Sequence, residues 1–108
     1  FILEQNTIQP FVKIGDNTII WSGNHIGHHT VLEENCFIAS HAVISGSVLI
    51  EKNCFIGVNA TIGDNIQVSS HNIIGAGSVI LKNTKPFSIY RVASTNASKA
   101  SSNKLSFR

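Results

Sequence analysis

A chain of 108 residues with eight Lys or Arg against six Asp or Glu makes one small domain whose partners are not announced by bulk charge. No run of 18 apolar residues is present, so the sequence offers no membrane-spanning helix, and two cysteines are too few for a disulfide scaffold. Only 13% of the residues are charged, which argues against a helical bundle, a coiled coil or a charge-driven disordered chain.

The first element is met at once. From Ile2 an aliphatic residue recurs at every sixth position, through Ile8, Ile14, Ile20, Ile26, Leu32, Ile38, Ile44, Ile50, Ile56, Ile62, Val68 and Ile74 to Ile80. All fourteen are aliphatic and twelve are isoleucine. A period of six is neither the 3.6 of a helix nor the 2 of a long strand. It fits short strands joined by tight turns and wound into a solenoid. The fourth position of the hexad is often Asn or Gly, as at Asn17, Gly23, Asn35, Asn53, Asn59, Asn65, Gly77 and Asn83, residues that tolerate left-handed backbone. The fifth position is mostly small, which suits a narrow inward corner.

Three hexads make a triangular coil of 18 residues, and residues 18 apart then stack at about 4.8 Å, the spacing of neighbouring strands. The expected fold is all-β, a parallel β-helix of about 4.7 coils over residues 1–85 with three aliphatic ladders. Such a solenoid needs caps. The repeat is already in stride at FILEQN, so a preceding segment is expected. At the other end Pro86, which lacks an N–H, stops the regular ladder, and residues 87–92 are expected to cap the last coil or pack on a neighbour. Residues 86–108 carry Arg91, Lys99, Lys104 and Arg108 and no acid. They read as a cap followed by a basic, Ser-rich, poorly ordered tail without a nucleic-acid motif. Nothing resembles a signal peptide, and a cytoplasmic location is expected.

Cys36 and Cys54 stand 18 apart in the small column and are expected to stack inside as buried thiols. Of five histidines, His29, His41 and His71 occupy the turn position, where His is tolerated much as Asn is, and His25 sits at a corner. His28 holds the third position of its hexad, filled elsewhere by Asp16, Glu34, Lys52 and Asp64, so it points to solvent. An outward imidazole is a plausible general base at neutral pH.

The stretch IIWSGNHIGHHTVLEENCFIASHAVISG, followed by FIGVNATIGDNI and IIGAGSVILKNT, resembles the sugar acyltransferase family of hexapeptide-repeat proteins. It is similar to the acetyltransferases of nucleotide-linked amino sugars and sialic acids. The resemblance covers residues 8–85 and implies a left-handed coil, acetyl-CoA as acyl donor and no metal. It also implies a homotrimer with sites between adjacent subunits, and a small sugar acceptor modified on N or O. The family's base lies in a segment like I-x-H-x-x-x-I-G, matched here by Ile26-Gly27-His28-His29-Thr30-Val31-Leu32-Glu33, so His28 takes the catalytic position. The next residue, commonly acidic in the family, is His29, a second catalytic candidate. Trp21 stands where Asn is frequent and suggests a stacking surface for a substrate ring. Gly46 matches the position whose backbone meets the pantetheine arm, Val58 and Ala76 match later walls of the cofactor groove, and Lys82, with Lys85 second, matches the basic residues near the nucleotide end. Family members that acetylate nucleotide sugars usually carry a preceding α/β domain, which these 108 residues do not contain, so the acceptor stays open. Two other classes share such a coil: a non-catalytic trimeric assembly module, and a zinc-dependent hydratase, whose H-x-x-x-x-H pair is missing.

Overall fold

In the computed structural model, which describes residues 1–104, every sixth residue from Ile20 to Ile80 points into one continuous core. Ile20, Ile26, Ile38, Ile44, Ile50, Ile56, Ile62, Val68 and Ile74 are wholly buried. Each lies in a two-residue strand with its predecessor outside, most often β-branched or aromatic as in Phe37–Ile38 and Val43–Ile44, but Leu49 and Gln67 before Ile50 and Val68. Residues of this shape suit a pleated, half-buried surface, and burying one such side chain is worth about 1.5–3 kcal/mol.

Among the described residues, fourteen strands form three parallel sheets. Sheet A holds Ile19–Ile20, Phe37–Ile38, Phe55–Ile56, Ile73–Ile74 and Ile89–Tyr90, extended at its start by the bridge of Ile2 with Ile20. Sheet B holds Thr7–Ile8, His25–Ile26, Val43–Ile44, Thr61–Ile62 and Val79–Ile80. Sheet C holds Lys13–Ile14, Val31–Leu32, Leu49–Ile50 and Gln67–Val68. The register is 18 throughout, for example Ile26 with Ile44 and Leu32 with Ile50. The result is a left-handed solenoid of about five coils. Among the described residues no helix is long and apolar enough to cross a membrane.

The corners explain the turn column. Every fourth hexad position from Gln5 to Gly77 has φ between 56° and 72°. A side chain in this region costs roughly 1–2 kcal/mol, and the corner is held by backbone bonds such as Asn35 N–H to Asp16 O, 3.0 Å, and Asn53 N–H to Glu34 O, 3.1 Å. Asn83 departs from the expectation: it lacks positive φ, and Phe87 has it instead, at 56°. The cause is a coil two residues short. Ile73 and Ile74 pair with Ile89 and Tyr90, a separation of 16, and the side chain of Asn83 is spent accepting the Gln67 N–H at 2.8 Å. Past Lys85 the chain thus adds one more strand. Tyr90 takes the inward place, and its hydroxyl accepts the Lys85 N–H at 3.0 Å. Residues 91–101 have no regular structure, and Ser102–Lys104 form a 3-10 turn. The end of the expected tail, 105–108, lies outside the described residues.

Candidate functional site

The edge between sheets B and C carries the third hexad position of five successive coils: Pro10, His28, Gly46, Asp64 and Lys82. Three sequence candidates, His28, Gly46 and Lys82, therefore share one straight line up the prism. The exposed His28 imidazole lies across the next coil. A Cβ on Gly46 would stand 2.6 Å from His28 Nε2 and 2.7 Å from Cε1. The absent side chain lets the ring lie on the backbone, and the ring in turn buries Gly46.

The main chain at His28 is pinned from both sides. Its N–H donates to Gln9 Oε1 at 2.9 Å, and its carbonyl accepts the Ser47 N–H at 2.8 Å. Its Nδ1 lies 3.1 Å from His29 Nδ1, with the two rings at 86°. His29 is held by left-handed backbone, φ 60°, by its N–H to Pro10 O at 3.2 Å, and by stacking on Phe11 at 5.0 Å and 23°.

Gln9, Phe11 and Asp64 belong to this site and escaped the sequence reading. Asp64 Oδ1 accepts the Gly46 N–H at 2.8 Å, so the backbone donor beside the imidazole is engaged by a carboxylate one coil on. The available signal was the step of 18, which takes Gly46 to Asp64 and Phe11 to His29.

The remaining candidates stand elsewhere. Val58 and Ala76 share the edge between sheets A and B, both exposed. Trp21 lies on sheet A beside that edge, 47% exposed, its ring 5.9 Å from Phe37, which stacks on Phe55 at 5.3 Å. Lys82 and Lys85 are exposed. Lys82 borders a hollow shared with Val79, Leu81 and Tyr90. Another hollow runs along Lys13–Asp16 and Val31–Glu34. Neither is lined by His28, which sits on a convex edge of the single prism.

The thiols are interior. Cys36 and Cys54 are both free and buried, and each reaches a carbonyl of the coil above, Glu51 O at 3.3 Å and Ser69 O at 3.1 Å. The side-chain hydrogen bond with Cys36, and then burial, push the Cys54 thiol up, away from the thiolate that nucleophilic chemistry needs. No group of three His, Cys, Asp or Glu side chains poised for a metal occurs among the described residues.

Residues 11–46 and 47–82 match the family model described as bacterial transferase hexapeptide, six repeats. Among solved structures, the chain is similar to a perosamine N-acetyltransferase from Caulobacter crescentus, in a variant with a histidine replaced by asparagine, in complex with CoA and GDP-perosamine. The TM-score is 0.57 at 17% identity, covering 80% of this chain and 50% of that one. It is likewise similar to PerB from Caulobacter crescentus with the same two ligands, at TM-score 0.52 and 19% identity over 77% of this chain and 48% of that one. The chain thus spans about half the length of these structures. No curated protein sequence matches it significantly.

Proposed function

The chain belongs to the bacterial transferase hexapeptide family, and from that premise we propose that it is an acetyl-CoA-dependent acetyltransferase. It moves the acetyl group directly to an amine or hydroxyl of a sugar or nucleotide-linked amino sugar. The observation that carries this reading is the imidazole of His28 lying on the bare backbone of Gly46, which sets a general base at the edge position expected to meet the acyl-pantetheine arm; the ring must turn aside for the arm to reach that backbone.

In the reaction, His28 Nε2 takes the proton as the acceptor nitrogen or oxygen attacks the thioester carbonyl. The new C–N or C–O bond forms as the C–S bond breaks, and the CoA thiolate leaves and is protonated. A backbone N–H serves the developing oxyanion. For Gly46 to supply it, Asp64 must release the bond it now accepts. No acyl-enzyme is formed, since both thiols are inside. Lys82 stands three coils beyond His28, about 14 Å along the edge, a reach suited to pairing a CoA phosphate with an ammonium.

Val58, Ala76 and Trp21 lie toward a different edge of the prism. They join His28 only if a neighbouring copy supplies them, which favours a homotrimer with its sites between subunits. A convex edge becomes a cleft when a second prism lies beside it. The test is His28→Ala. Thioester cleavage with a panel of amino sugars is expected to fall roughly 10²–10⁴-fold, while CoA binding measured by calorimetry stays unchanged. Full activity in the variant would move catalysis away from His28. Absence of CoA binding by the parent protein would leave a non-catalytic assembly module.

A further inference from the structure

Nδ1 of His28 and Nδ1 of His29 stand 3.1 Å apart. Two neutral imidazoles at this distance bond only if one Nδ1 carries a proton and the other does not. Of the neighbouring side chains, Gln9 turns its Oε1 to the His28 N–H and Asp64 its Oδ1 to the Gly46 N–H, and neither bonds an imidazole nitrogen. Lys82, farther along the edge, makes no hydrogen bond to either ring. Each imidazole is thus the other's partner at Nδ1. The tautomer of His28 is coupled to that of His29, and a ring nitrogen's state is set by the bond its opposite nitrogen makes.

We propose that His29 is a positioning residue which, as the neutral acceptor, holds the shared proton on His28 Nδ1 and leaves His28 Nε2 bare above Gly46. The proposal rests on the reading of His28 as the base. The reverse arrangement, His29 Nδ1–H donating to His28, would put the remaining proton on His28 Nε2 and leave no lone pair there to receive one. Protonating either ring has the same result, because the added proton ends on His28 Nε2 or forces it there. His29 can serve as the acceptor because the left-handed turn sets the direction of its side chain and the stack on Phe11 supports its ring.

The experiment uses protein labelled with 15N in its histidine rings, at pH about 8.5, two units above the ordinary histidine range. Ring-nitrogen spectra are expected to show His28 with a protonated Nδ1 and a bare Nε2, and His29 with the opposite pair. His29→Phe assigns the signals and removes the acceptor. It keeps the stack on Phe11, and phenylalanine already occupies this left-handed turn position at Phe11 and Phe87. In that variant His28 should lose its preference for Nδ1–H. The kcat should fall tenfold or more, with KM for acetyl-CoA unchanged, and His29→Asp, an acceptor that tolerates left-handed backbone, should recover most of the loss. A spectrum placing the proton on His28 Nε2 in the parent protein overturns the proposal, as does an undiminished kcat in His29→Phe. The expected spectrum from a protein without transferase activity would uphold the proton placement and reject the function, so the two failures are distinct.

Discussion

His28 owes its position to a residue 18 places later in the chain. Two glycines on sheet B and its edge show how different the demands behind one residue type are. At Gly46 an added Cβ meets the imidazole of His28, while at Gly27 it meets the backbone of Ser45, 2.5 Å from its carbonyl carbon and oxygen. A ring at the end of a side chain can swing away, whereas a strand carbonyl cannot. Gly46→Ala is therefore expected to leave the melting temperature nearly unchanged and to lower kcat by roughly tenfold or more through a misplaced base. Gly27→Ala is expected to cost about 1–3 kcal/mol in denaturant unfolding, as overpacking does. The thiols give a check that needs no acceptor. In the native protein Cys36 and Cys54 should resist iodoacetamide at neutral pH, and both should be alkylated after unfolding, as read by mass spectrometry. Rapid native modification of either would place a thiolate at the surface.

At the scale of the strand and its turn, each element is too short to stand alone: two residues and one inward side chain, stabilised only by the copies above and below it. Ile38→Ala, in the middle of the sheet A ladder and wholly buried, is expected to cost about 2–5 kcal/mol, measurable by urea titration. This regularity is why the fold could be read so fully from the sequence. An inward residue every six positions is a local rule that no distant contact overrides: it placed Ile2 through Ile80 on their ladders and Ile20 through Ile80 in the core, while Ile2 and Ile8, in the first coil, are exposed. Where repetition ceased, so did legibility. Pro86 announced the end of the pattern, but nothing in the sequence said that Ile89 and Tyr90 would rejoin sheet A two residues early, with a tyrosine in an isoleucine's place. The line from His28 to Gly46 to Lys82 was implicit in the step of 18. The Nδ1 contact with His29 and the grip of Asp64 on Gly46 were not, because they depend on rotamers that spacing leaves free. The left hand came from the family resemblance rather than from the period.

Seen whole, the prism has unlike faces. The outer positions of sheet A run Ile19, Phe37, Phe55, Ile73 and Ile89 without a charge, flanked by Trp21 and, at the last coil, by Arg91, whereas sheet C carries Lys13 and is flanked by Glu33 and Glu51. An uncharged aromatic surface suits burial against another chain. On the trimer reading, sedimentation of the parent protein should give three times the chain mass, and Phe55→Glu should lower it to one while abolishing CoA binding; a monomer that binds CoA would reject the shared site. The constant coil has one more implication. Because every coil adds the same increment of about 4.8 Å, the edge from His28 to Lys82 behaves as a graduated ruler whose unit is a block of 18 residues. Inserting one further 18-residue coil after that of Asp64 would leave every ladder in phase, Gly46 still next to His28 and Asp64 still next to Gly46, yet carry Lys82 one graduation farther. The length of molecule that fits between base and cation would thus change in discrete steps, by whole coils gained or lost, without any alteration to the chemistry at either end.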